Sequence, residues 1–68
     1  MEVEVGDIIA IDGQQHLLST DQSSNYLCLS NDVGIVTGVC LETNQVEIML
    51  GGEVMIARPQ QIKKMKSS

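Results

Sequence analysis

The sequence predicts an all-β fold, a small barrel or sandwich, on three observations. Apolar residues recur with a period of two through most of the chain. Turn signals punctuate it every ~8–12 residues. No stretch of any length shows a helical apolar face, and the best candidate, 59–66, has room for only about two turns.

Taken in order, Val3 and Val5 alternate with acids, and Gly6-Asp7 leads into the apolar run Ile8–Ile11. Asp12-Gly13 is a two-residue hairpin signal, and the chain is expected to return as a strand over Gln15–Ser19. Six polar residues, 20–25, read as a loop. A strand over 26–29 ends at Ser30-Asn31-Asp32. The β-branched segment 33–41 is interrupted by Gly34 and Gly38, which mark a bulge, a bend or a close approach of another backbone. After a turn at 42–44, Val46, Ile48 and Leu50 share one face of the next strand. Gly51-Gly52 makes a tight hairpin, and the returning strand is expected to turn Val54 and Ile56 inward. Pro59 lacks an amide hydrogen, so it ends that strand and starts a single helical turn. Residues 62–65 close the structure, and the last residues, Lys66 onward, are expected to fray.

A chain of 68 residues has room for one domain, read as residues 1–66 with 67–68 as a frayed end. A domain this small buries only about 60% of its unfolded surface. The hydrophobic fraction, 43%, is ordinary, but Tyr26 is the only aromatic residue. The core is therefore expected to be Ile, Leu, Val and Met. Part of the apolar surface is expected to be covered by a second copy or another protein.

The single ring excludes several functions. Stacking platforms for single-stranded nucleic acid, aromatic cages for methylated lysine and grooves for Pro-rich peptides each need several. Charge narrows the rest. All nine acids lie in residues 1–57 and all four bases in 58–68, for a net charge of −5. Such an acidic body repels phosphate. No run approaches the ~18 apolar residues of a membrane span. Met1 is followed by acids, not by a basic and then apolar leader, which predicts a cytoplasmic protein. In that reducing setting Cys28 and Cys40 are expected to act as small core hydrophobes.

The sequence of features resembles the SH3-like small β-barrels, the broad group that includes Tudor, KOW and phage-encoded barrels. The features are the Val5-Gly6-Asp7 opening, the Asp12-Gly13 turn, a polar loop, a late Gly-Gly hairpin and Pro59-Gln60-Gln61-Ile62 before a basic last strand. The resemblance is one of architecture and covers nearly the whole chain. It implies a five-stranded barrel with a single short helical turn before the last strand. The ligand-binding aromatics of SH3 domains have no counterpart here apart from Tyr26, and the Tudor cage and the KOW basic positions are unmatched.

No residue pattern supports catalysis. His16 is the only histidine, and neither Asp12 nor Ser19 shares a strand face with it neatly. Nothing near Cys28 in the sequence would lower a thiol pKa. Asp7, Asp12, Asp21 and Asp32 sit at separate turns, spaced too widely for a calcium loop and well placed for turn hydrogen bonding. One histidine and two cysteines cannot supply the four ligands of a structural zinc site. No catalytic residue, metal or cofactor is expected.

The leading expectation is a non-enzymatic barrel that binds protein: an adaptor, inhibitor or assembly subunit, in the manner of short phage or mobile-element proteins. Asp21, Asn25 and Tyr26, in and beside the polar loop, are the expected contact residues. An open sheet edge offers self-association by strand pairing. Two alternatives stand beside this. One is nucleic-acid association through Arg58, Lys63, Lys64 and Lys66. The other is an inhibitor whose carboxylates mimic phosphates.

Overall fold

Period-two alternation is realised as seven strands in a computed structural model that describes residues 3–66. They are β1 (Ile8–Ile11), β2 (Gln15–Ser19), β3 (Asn25–Cys28), β4 (Val33–Cys40), β5 (Gln45–Leu50), β6 (Glu53–Ala57) and β7 (Ile62–Lys66). All pairings are antiparallel, in the order β3-β2-β6-β5-β4-β1-β7, and the sheet curls around one core. The fold is all-β, with one 3-10 turn at Pro59–Gln61 as its only helical element among the described residues.

The expected count of five strands is corrected to seven. The additional pair is β2 and β3, a hairpin of its own between β1 and β4. It joins the rest of the sheet through Leu18 and Ser19, which pair with Ile56 and Met55 of β6. The Asp12-Gly13 turn does reverse the chain, but β1 and β2 do not pair. The groups that a hairpin would use are taken: Ile11 exchanges backbone bonds with Asn31 and Asp32, and the Asp12 amide donates to the Gln61 carbonyl.

The core consists of Ile9, Ile11, Leu17, Cys28, Val36, Val46, Ile48, Met55, Ala57 and Ile62, with Val3, Tyr26, Val39 and Leu50 packed against it. Aliphatic and sulfur side chains fill the space that rings usually occupy. The Cys28 thiol donates to the Met55 thioether at 3.5 Å inside this core. Inward-facing residues of β6 are Met55 and Ala57, whereas Val54 and Ile56 lie half-buried on the outside. This corrects the expected face by one residue. Gly51 and Gly52, at φ of 63° and 83°, make the two-residue turn that pairs Leu50 with Glu53. That register places Met55 opposite Ile48 and Ala57 opposite Val46, and side chains opposite each other share a face.

Both strand glycines have local causes. At Gly38 the β4–β5 register shifts, a bulge. At Gly34 a side chain is sterically excluded, because a Cβ would lie 2.7 Å from the Met49 carbonyl oxygen. The opening turn is fixed by Asp7, which is 2% exposed. Its carboxylate accepts from the Glu4 amide at 2.9 Å and lies 3.4 Å from Lys64 Nζ, so β7 is pinned to the start of β1. The backbone of β7 continues through Lys66. Residues 67–68 lie outside the described residues.

Candidate functional site

The polar loop between β2 and β3 is closed on itself. Asp21 Oδ1 accepts from the Ser19 hydroxyl at 2.6 Å, the Ser23 hydroxyl at 2.7 Å and the Ser23 amide at 3.0 Å. Ser19 Oγ in turn accepts from the Ser24 amide, while the Gln22 and Ser19 amides donate to the Ser19 and Ser24 carbonyls, respectively. These bonds favour the carboxylate, the Ser19 hydroxyl most, and hold Asp21 at a pKa of about 2. Its charge is spent on shaping the turn.

Tyr26 and Asn25 are neighbours on β3 and therefore point to opposite faces. Tyr26 is half-buried against the core, and its hydroxyl donates to Glu53 Oε2 at 3.1 Å. Asn25 is exposed on the outer face, opposite Leu18. The three expected contact residues thus share one hairpin but do not converge on one point.

What does converge is the outer face of the sheet. A groove of about 180 Å³ lies where β2, β6 and the 3-10 turn meet, lined by His16, Leu18, Gln22, Gln45, Ile56 and Arg58 among others. A second hollow of about 240 Å³, over the Gly38 bulge, shares Gln45 and Ile56 with it and adds Cys40 and Glu47. Beside them runs an aliphatic row. Register places Ile8 opposite Ile35, Ile35 opposite Met49, and Met49 opposite Val54, so the row crosses β1, β4, β5 and β6. Ile35 is 41% and Met49 43% exposed, and Val33 and Leu18 extend the apolar surface. Sequence reasoning missed this surface because it assigned Ile56 and Val54 to the core. The length of the Gly-Gly turn was the signal that places them outside.

The four cations are spread out. Arg58 precedes the 3-10 turn, where its amide donates to Gln61 Oε1. Lys63 is exposed opposite Ala10, and Lys64, its neighbour on β7, is engaged with Asp7. The backbone of Lys66 pairs with Ile8. The two cysteines are free thiols in different settings, which corrects the expectation that both lie in the core. Cys28 is buried, and desolvation pushes its thiol pKa up. Cys40 is exposed at the end of β4, and hydrogen bonding from the Thr43 hydroxyl lowers its pKa.

Among the described residues, no group of three or more His, Cys, Asp or Glu is placed to hold a metal ion. No helix among them is long and apolar enough to cross a membrane. Comparison of the chain with protein-family models, with curated proteins and with solved structures found no match.

Proposed function

We propose that this chain is an SH3-like barrel that acts by binding another protein and performs no reaction of its own. The observation that carries this reading is the aliphatic row Ile8–Ile35–Met49–Val54 on the outer face, adjoining the groove at Ile56 and Arg58. Contiguous exposed apolar surface is uncommon on monomers and marks interaction sites. An apolar centre with a polar rim is the usual anatomy of a protein interface. The SH3-like assignment rests on the order β6-β5-β4-β1-β7 with a 3-10 turn before β7; the β2–β3 hairpin is then an excursion between the first two barrel strands.

The body of the chain is acidic, so the partner that fits presents an aliphatic surface framed by basic side chains. Such a partner makes the chain an adaptor, inhibitor or assembly subunit. Nucleic-acid association finds less support. Lys64 is committed to Asp7, and Lys63 and Lys64, as neighbours on a strand, face opposite ways. Phosphate mimicry also finds less support, because Asp21, Glu47 and Glu53 each accept hydrogen bonds from the chain itself.

Affinity capture from the native lysate tests the reading, with Met49→Lys and Lys63→Gln variants alongside the natural chain. A specific protein retained by the natural chain and by Lys63→Gln, and lost with Met49→Lys, is the expected result. Retention of nucleic acid in its place, abolished by Lys63→Gln, is the contrary one.

A further inference from the structure

The sheet has two open edges, β3 and β7, and they are built differently. β7 carries Lys63, Lys64 and Lys66, follows Pro59 and is irregular in its pairing with β1. Charge, proline and bulges are among the devices by which edge strands, when they are not simply short, are kept from pairing with other chains. β3, Asn-Tyr-Leu-Cys, has none of them: no charge, no proline and a regular register with β2. Leu27 at its centre is 55% exposed.

The direction of the β3 backbone groups follows from one bond. The Ser19 amide donates to the Ser24 carbonyl at 2.9 Å, so Ser19 and Ser24 form a hydrogen-bonded pair of the hairpin ladder. Such pairs alternate with non-hydrogen-bonded ones. Leu17–Tyr26 and Gln15–Cys28 are then bonded pairs, and Leu18–Asn25 and His16–Leu27 are not. The N–H and C=O groups of Asn25 and Leu27 therefore turn away from β2, toward the open edge, where no strand among the described residues pairs with them.

We infer that the β3 edge joins a second copy of this chain, β3 against β3, antiparallel about a two-fold axis through Tyr26. In this register Asn25 of each copy lies opposite Leu27 of the other, and Tyr26 opposite Tyr26. All the outward N–H and C=O groups of Asn25 and Leu27 are then used, in four inter-chain hydrogen bonds. An axis through Leu27 fails this test. It pairs Asn25 with Leu29, whose amide already donates to Asp32 Oδ2 and whose carbonyl accepts from the Asp32 amide. The occupant is a second copy because the unblunted strand is its own antiparallel complement about Tyr26. The inference concerns a different surface from the outer-face reading and stands or falls separately from it.

Sedimentation over a range of concentrations, with amide exchange, tests the pairing. A dimer is expected in which the Asn25 and Leu27 amides become protected as concentration rises. Leu27→Pro removes an N–H that β2 does not use, so the variant keeps the fold and weakens the dimer at least tenfold. In a Cys40→Ser background, Tyr26→Cys is expected to form an inter-chain disulfide under mild oxidation. Its α-carbons would stand ~4.5 Å apart in a non-bonded pair, within the range a disulfide spans. Leu27→Cys places the thiols diagonally, beyond that reach, and is expected not to form one. A monomeric mass at every concentration overturns the inference. So does a dimer with unprotected β3 amides, a dimer disrupted by Met49→Lys and indifferent to Leu27→Pro, or β3 protection that appears only when a different protein is added. Loss of the dimer in Leu27→Pro with retention of the lysate partner would separate the two surfaces.

Discussion

The hydroxyl of Tyr26, on β3, reaches across β2 to donate to the carboxylate of Glu53 at the start of β6. The carboxylate acceptor favours the protonated phenol and raises its pKa above 10.0. The folded value exceeds the unfolded one, so the stabilisation is present below pH 10 and fades as pH rises through the folded value. Glu53→Gln keeps an acceptor and removes the charge. Phenolate absorbance is expected to titrate above 10 in the natural chain and closer to 10 in the variant; equal midpoints would contradict the contact.

Asp21 gives the opposite dependence. Its folded pKa, about 2, lies below the 3.8 of a free aspartate. The stabilisation of the 19–24 turn is therefore complete above about pH 4 and is lost as pH falls through about 2. Amide exchange should show the Ser23 and Ser24 amides opening in that window, ahead of the β5–β6 ladder. Asp21→Asn should abolish the pH dependence.

Gly34 and Gly38 separate two reasons for glycine in one strand. Gly34→Ala drives a Cβ against the backbone carbonyl of Met49 and is expected to cost about 1–3 kcal/mol. Gly38→Ala meets Glu47 Cβ at 3.5 Å, an ordinary contact, and is expected to change stability by less than about 1 kcal/mol. Urea midpoints of the two variants check the order.

Asp7→Ala removes the acceptor for the Glu4 amide together with the Lys64 ion pair, a loss of about 2–3 kcal/mol. Lys64→Met leaves the Glu4 bond in place, and the lysine side chain it replaces is already 38% exposed. The smaller loss is expected there, and urea unfolding showing the reverse order would disprove the arrangement.

Much of the fold was legible because strand periodicity and turn chemistry are local. The Gly51-Gly52 turn, the bulge at Gly38 and the helical turn at Pro59 each follow from a residue's own backbone preferences. Pairing was less legible. Asp12-Gly13 has the chemistry of a hairpin, but the partners that occupy Ile11 and Asp12 come from residues 31, 32 and 61, far along the chain. The outer aliphatic row was hidden for a similar reason. Val54 and Ile56 look like core residues by hydropathy, and only the β5–β6 register, fixed by a two-residue loop, turns them outward. Asp21 has the look of a contact residue in the sequence, where nothing marks its serine neighbours as the groups that bind its carboxylate.

The thiol–thioether contact between Cys28 and Met55 gives the molecule an internal chemical clock. Peroxide in solvent meets Met65 and Met49, which are exposed, long before it meets Met55. Sulfoxide at Met55 then accumulates only in molecules whose core has opened around β6, so its slow appearance counts those excursions one by one.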